Sequence, residues 1–256
     1  MKNLGLLLAL TGFVSCASHS VNQDHLEMAT LWTQKSGEAR AISYQAFNFA
    51  KRLLNDSLRK ASKKPRAIVV DVDETVVDNS PFQAMGILKN TSYPVGWREW
   101  IDAASAKAIP GAVEFLSYAS KKGVEVFYVT NRKVIGKEPT LKNLRDLGFP
   151  VKNENVMLRT KTSSKKARRD LIRKKYNIVL LMGDNLGDFT ELFDIDDLEK
   201  RNNLVDSMQK EFGKKFIVLP NAMYGAWEGA VYEGNFRLSP EKKREVRREH
   251  LEPFQL

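Results

Sequence analysis

The chain is short of the residues that most often carry covalent or redox chemistry. It holds one cysteine, Cys16, so no internal disulfide can form and the fold rests on packing. No arginine follows Cys16 at loop distance, which excludes a cysteine-based phosphatase loop. The three histidines, His19, His25 and His250, all lie near the ends, which argues against a histidine-based site in the body of the chain. Neither G-x-S-x-G nor G-x-x-x-x-G-K-[S/T] occurs, so the serine elbow and the P-loop are both absent. No internal repeat or low-complexity tract stands out.

What is present is ordinary globular material. Of 256 residues, 43% are hydrophobic and 28% charged, enough for one sizeable core. The start differs from the rest. Met1-Lys2-Asn3 precedes an apolar stretch from Leu4 to Val14, then Ser15-Cys16-Ala17-Ser18. A positive start, a brief apolar run and small residues predict a signal peptide over 1–17, too short for a lasting membrane span. Cys16 resembles the lipidated cysteine of bacterial lipoproteins, with Phe13 departing from the usual leucine. Cleavage after Ala17, with Ser15 and Ala17 as the small pair, is the alternative. Residues 24–256 then form a single domain. The net charge of +10 gathers in Lys60–Arg66, Lys161–Arg169 and Lys242–Arg248. Such runs are usually solvated helix faces, though a basic surface also draws anionic substrates.

Helical periodicity runs from Leu31 to Leu58, and Ala67-Ile68-Val69-Val70 reads as a buried strand. The irregular, aromatic segment 79–109 reads as an insertion over the end of that strand. Pro110-Gly111 is expected to open a helix ending before Gly123, with Pro110 at its start. Further strands are expected at 124–129, 156–158, 178–182 and 216–219, with helices at 140–147, 163–176 and 198–212. This alternation predicts an α/β fold, a three-layer Rossmann-like parallel sheet with a small, mostly helical accessory region.

Ligands of such sheets bind beyond the carboxyl ends of the strands. Asp71 and Asp73 stand where the first strand ends, and two carboxylates so close repel each other unless a hard cation relieves them. Gly183-Asp184-Asn185-Leu186-Gly187-Asp188 follows the fourth strand and adds carboxylates at the same edge. Asp71, Asp73 and Asp184 could together hold one Mg2+. Thr130, after the second strand, can donate to a phosphoryl oxygen. A lysine at the head of the basic helix would add an ammonium to a helix N-terminus. Each piece alone is weak, because a lone Asp-x-Asp is more often a turn. Their order at successive strand ends is what gives them weight.

Asp71-x-Asp73-x-Thr75, Thr130, a lysine and Gly183-Asp184-x-x-x-Asp188 resemble the haloacid-dehalogenase (HAD) superfamily of phosphotransferases. More narrowly, Asp71–Thr75 with Asp78–Pro81, Phe127–Arg132, Gly183–Phe189 and Leu219–Gly229 resemble the class C acid phosphatases, which are lipoprotein or secreted nucleotidases. The likeness runs from about Trp32 to Gly234. It implies Asp71 as nucleophile, forming an aspartyl phosphate, and Asp73 as general acid and base. It implies a Mg2+ shell of the Asp71 and Asp184 carboxylates and the Asp73 carbonyl, supported by Asp188, with Thr130 on the phosphate. For the lysine, the family pattern of serine before and arginine (here Arg168) three after points to Lys165, with Lys161 as the alternative. Trp97 and Tyr224 match residues that grip an aromatic ring of the substrate, and stacking of that kind tolerates every base.

The resemblance therefore implies a Mg2+-dependent acid phosphatase acting on small phosphomonoesters, nucleoside monophosphates above all, and not on nucleic acid. It also implies export to the outer membrane or periplasm, membrane attachment only through a lipid anchor, an acidic optimum and, in many members, a homodimer. Two rivals remain at this stage. One is a phosphorylated switch on the same fold, against which the acid Asp73 and the signal peptide argue. The other is a non-catalytic basic surface lipoprotein binding anionic ligands, which predicts salt-sensitive binding that survives Asp71→Asn.

Overall fold

The computed structural model describes residues 23–255, so the 1–17 segment and Cys16 lie outside the described residues. At its centre is β1 (Arg66–Val70), an apolar run buried on both faces. Ile68 and Val70 point into one cluster with Phe47, Leu116 and Leu141. Ala67 and Val69 point into another with Phe127, Ile172 and Phe189. A strand without a polar face has to be covered twice, and helices do so here.

Two helices, α1 (Glu27–Lys35) and α2 (Gly37–Leu58), precede β1. The sequence predicts a single helix from Leu31; the chain instead breaks at Ser36, which is extended (ψ 141°) and accepts a hydrogen bond from Ala39 N at 3.0 Å. That is an N-cap, which satisfies one orphan donor of the new helix.

After β1 come β2 (Val77–Asp78), α3 (Ser80–Lys89), α4 (Trp97–Ala103) and β3 (Lys107–Ala108). β2 and β3 pair antiparallel, Val77 with Ala108 and Asp78 with Lys107. The segment expected as an insertion over 79–109 is thus two helices on a short ribbon.

The chain continues through α5 (Ala112–Lys121), β4 (Glu125–Lys133), α6 (Lys137–Asp146), β5 (Val156–Arg159), α7 (Lys166–Lys175) and β6 (Asn177–Gly183). It ends with α8 (Leu198–Ser207), β7 (Phe216–Val218), α9 (Ala226–Val231) and α10 (Pro240–Glu249). Pro110 does not open α5 as expected. Gly111 caps it at φ 89°, a conformation open to glycine, and the helix begins one residue later.

Five strands form one parallel sheet in the order β5-β4-β1-β6-β7. The chain works outward from β1 to β5, then returns to the other side of β1 for β6 and β7. That reversal puts the switch point, where such sheets bind ligands, beside the carboxyl end of β1. Helices α2, α5 and α6 contribute to the cluster on one face, and α7 to that on the other. This is the three-layer α/β architecture of the HAD-type fold. Among the described residues no helix is long and apolar enough to cross a membrane.

Candidate active site

The end of β1 hands the chain to a tight loop. The N–H of Asp71 still donates to Met182 O at 2.9 Å, as a strand residue would. Beyond it, the N–H groups of Val76 and Val77 both turn back to Val72 O at 3.0 Å. Glu74 completes the turn at φ 55°, a left-handed conformation uncommon outside glycine. The loop therefore projects Asp71, Asp73 and Glu74 from consecutive turns of backbone.

One half of the site is built on Asp71. The Lys165 ammonium lies 2.6 Å from Asp71 Oδ1 and 2.6 Å from Asp188 Oδ1. Lys165 is buried and caps the start of α7, while Lys161 is exposed. Asp71, Asp184 and Asp188 each offer an oxygen, and the three oxygens lie within 4.8 Å of one another. Asp184 is aimed by Thr75 Oγ1 at 3.2 Å and Asn221 Nδ2 at 2.8 Å. Asp188 folds back to accept from Asn185 N at 3.0 Å. Its carboxylate lies against the α-carbon of Gly183, where any side chain would collide.

The other half is built on Asp73, whose carboxylate is not one of that trio, although the sequence placed it there beside Asp71 and Asp184. Arg132 grips it with Nε at 2.9 Å and Nη2 at 2.8 Å, both to Oδ1. Asn79 Nδ2 donates to Oδ1 at 2.8 Å, and Thr130 Oγ1 to Oδ2 at 3.3 Å. Arg132 is itself fixed by Thr140 on α6, at 3.1 Å. The Trp97 ring centroid lies 5.9 Å from Arg132 Cζ, and Phe82 and Tyr93 hold the same ring edge-on. Tyr224 reaches the loop too, donating its hydroxyl to Glu74 Oε2. Trp97 and Tyr224 both remain partly exposed.

The electrostatics follow from burial and crowding. Burial pushes the Asp71 carboxyl well above its usual range; Lys165 works against this, and Asp188, Asp184 and Asp73 add to it. Burial, then Asp188, pushes Asp184 up to about 7, partly offset by the hydrogen bond from Asn221. Burial likewise raises Glu74, helped by Asp73 and Asp184. For Lys165, burial alone would lower the value, but Asp188 and Asp71 outweigh it and the ammonium is held charged. Asp71 and Asp184, which burial and crowding hold back from ionising, form with Asp188 a donor set suited to a hard divalent cation, whose charge would reverse that resistance.

Several residues of this site were given no part in its chemistry by the sequence, Arg168 having served only to point to Lys165. Arg132 could have been found: it stands two residues after Thr130 in a strand, hence on the same face. Arg168 fastens the Thr130–Asn131 stretch of β4, donating to Thr130 O at 2.6 Å and Asn131 Oδ1 at 2.7 Å. Arg169 is wholly buried and donates to Gly187 O at 2.8 Å and Asp188 O at 3.1 Å. Asn79 and Glu74 carry no periodic signal at all.

The fold and this strand-end site define a haloacid-dehalogenase-type protein, and comparison with known proteins narrows the class. Residues 14–227 match the family described as HAD superfamily, subfamily IIIB (acid phosphatase). The chain belongs to that family. It is also similar to the class C acid phosphatase of Bacillus anthracis, at 43% identity and a TM-score of 0.89, covering 91% of this chain and 99% of that one. The structure of the Bacillus protein with tungstate bound matches equally well. Among curated proteins it is similar to vegetative storage protein 2 of Arabidopsis thaliana, 26% identical over 60% of this chain and 59% of that one. The stem 28 kDa glycoprotein of Glycine max is 23% identical over 60% and 62%. The chain thus spans about three-fifths of the length of these curated relatives.

Proposed function

We propose that the protein is a Mg2+-dependent acid phosphatase that hydrolyses phosphomonoesters, nucleoside monophosphates foremost, through an aspartyl phosphate on Asp71. The observation that carries this reading is the buried Lys165 ammonium, 2.6 Å from Asp71 and from Asp188 at the switch point of the sheet. A phosphoryl group brought to Asp71 meets a fixed cation, as transfer of a multiply charged group requires. The Bacillus anthracis structure with tungstate bound is in keeping with this, since tungstate and phosphate are both tetrahedral oxyanions.

In the first step an Asp71 oxygen bonds to phosphorus as the bond to the leaving oxygen breaks, and Asp73 gives that oxygen its proton. In the second step water attacks the aspartyl phosphate, Asp73 takes the water proton, and the Asp71–phosphorus bond breaks. Lys165 and Thr130 hold the phosphoryl oxygens throughout. Asp71 and Asp184, with the Asp73 carbonyl and the supporting Asp188, are the groups that would hold Mg2+. Bound there, the ion supplies charge neutralisation for the phosphoryl oxygens. Trp97 and Tyr224 take the ring of the leaving group. Export, a lipid on Cys16 and a homodimer belong to the same reading.

The test is phosphate release from nucleoside monophosphates at mildly acidic pH, comparing the wild type with Asp71→Asn and Asp73→Asn, each with Mg2+ and with EDTA. Release that needs metal, is abolished by Asp71→Asn and is cut by ~10² or more in Asp73→Asn is expected. Release that persists in Asp71→Asn would discard the nucleophile and bring forward the anion-binding lipoprotein. Mass spectrometry of the wild type recovered from bacterial membranes should find lipid at Cys16; a mature chain starting at Ser18 would refute the anchor.

A further inference from the structure

We infer that Asn79 is a positioning residue that fixes the carboxylate of Asp73 and couples it, through the indole of Trp100, to helix α4. The inference rests on the reading of Asp73 as general acid.

Asn79 is 0% exposed, and its side chain uses every hydrogen-bonding position it has. Nδ2 donates to Asp73 Oδ1 at 2.8 Å and to Glu74 Oε2 at 3.0 Å. Oδ1 accepts from Trp100 Nε1 at 2.8 Å and from Arg132 Nη2 at 3.4 Å. The backbone N–H adds a third tie, to Glu74 Oε1 at 2.7 Å. The orientation of the amide is therefore determined. Turned over, it would set its oxygen against two carboxylates and its NH2 against two donors.

This single amide does two jobs. It spans the carboxylates of consecutive residues, Asp73 and Glu74, which would otherwise repel each other across the tight loop. It also ties that loop to the accessory helices, because it stands immediately before α3 and accepts from α4. Trp100 belongs to α4 and packs against the main core, so its N–H arrives from a fixed direction. A second route from α4 reaches the same carboxylate: Trp97 lies under the Arg132 guanidinium that grips Asp73. One helix thus approaches the acid from two sides, and Trp97 of that helix is also where the leaving group is read to lie. The proton donor and the leaving-group wall are parts of one connected network. A shift of either α4 tryptophan moves the donor relative to the oxygen it must protonate.

The consequence is read in leaving groups. A phenolate that is a weak base departs without help, whereas a more basic one needs the acid. The experiment measures kcat/KM for p-nitrophenyl and p-methylphenyl phosphate, which share a shape and differ in leaving-group basicity. Since kcat/KM ends at departure of the leaving group, the later hydrolysis does not enter. Wild type is compared with Asp73→Asn, Asn79→Ala and Trp100→Phe, the last keeping an aromatic ring while removing the N–H donor and part of the indole. Asp73→Asn should shift the substrate ratio about tenfold against the basic leaving group, and Trp100→Phe and Asn79→Ala about threefold in the same sense. A merely structural role would lower both substrates equally. If Asp73→Asn shifts the ratio and Trp100→Phe leaves it at the wild-type value, the inference is overturned while the general acid stands. If Asp73→Asn leaves the ratio unchanged, the reading of the acid fails and the inference falls with it. Should Asn79→Ala not fold, Trp100→Phe decides alone.

Discussion

Gly183 shows how closely single atoms constrain this site. A methyl group on its α-carbon would stand 2.1 Å from Asp188 Oδ2, so the carboxylate can fold over the strand end only because nothing is there. Gly183→Ala should displace Asp188 from Lys165 and Asn185 while the sheet stays intact. We expect activity or metal affinity to drop by a factor of ~10 to 10², as for other groups that support metal ligands, with little change in circular dichroism. The two lysines separate just as sharply. Lys165→Met removes the ammonium between Asp71 and Asp188, and kcat should collapse. Lys161→Met changes an exposed side chain and should alter kcat less than twofold by the usual behaviour of surface positions. At this scale the sequence was informative where chemistry forces a residue type: Asp71, Asp73, Asp184 and Asp188 were legible from charge and strand-end position. Asn79 and Glu74 were not, because their importance lies in a tight turn and a burial that no pattern of residue types announces.

Helix α7 carries the same lesson one level up. Its sequence, with a cation at most positions, reads as a solvated face, and Lys166, Arg173 and Asp170 do pair on its exposed side. Yet Arg169 turns inward, and beside its hydrogen bonds to Gly187 and Asp188 it meets Glu191 Oε2 at 3.1 Å. Thus the helix that presents Lys165 also fastens the loop that presents Asp184 and Asp188. Arg169→Met should leave the buried Asp188 carbonyl and the part-buried Gly187 carbonyl without this donor, at about 1–3 kcal/mol for the buried one. Urea unfolding would register that loss of stability, and the apparent Mg2+ affinity should weaken with it. A variant as stable as wild type would show the clamp to be dispensable. Charge periodicity alone cannot separate inward from outward arginines when the helix is basic all round. The break at Ser36, by contrast, was available from capping preferences: serine ahead of Gly-Glu-Ala is an N-cap signal inside an otherwise continuous period.

For the molecule as a whole, the succession of strands and helices and the parallel sheet were readable, because apolar runs alternate with helical periods and such alternation means βαβ units. Strand pairing and the β2–β3 ribbon were beyond reach, since two-residue strands have no period. The carboxylate cluster also sets how stability depends on acidity. Asp184 binds its proton up to about pH 7 when folded, against the ordinary carboxylate range when unfolded. Across that interval the native state holds more protons, so this contribution is full at low pH and is lost as pH rises through about 7. His25, lowered to about 4 by burial and then Arg247 and Lys243, acts in the opposite sense, so the comparison must be made against Asp184→Asn. In EDTA, the Tm of wild type relative to Asp184→Asn should fall from about pH 5 to about pH 7. Excess Mg2+ should raise the wild-type Tm, and more at the higher pH, because it competes with protons for the same oxygens. A metal effect that is larger at the lower pH would refute the shared site.

The two-stranded ribbon has a consequence for how such a protein can change. Because Asp78 and Lys107 are paired neighbours, the accessory helices leave and rejoin the body at one place. Such a segment can be exchanged for another of different length without disturbing the sheet or Asp71. Asn79 is the first residue past that junction, and it carries the setting of Asp73 with it. If Asp73 is the proton donor and Trp97 the leaving-group wall, as proposed above, a graft that swaps the wall also replaces the holder of the donor, so new selectivity and a working acid would have to be acquired together.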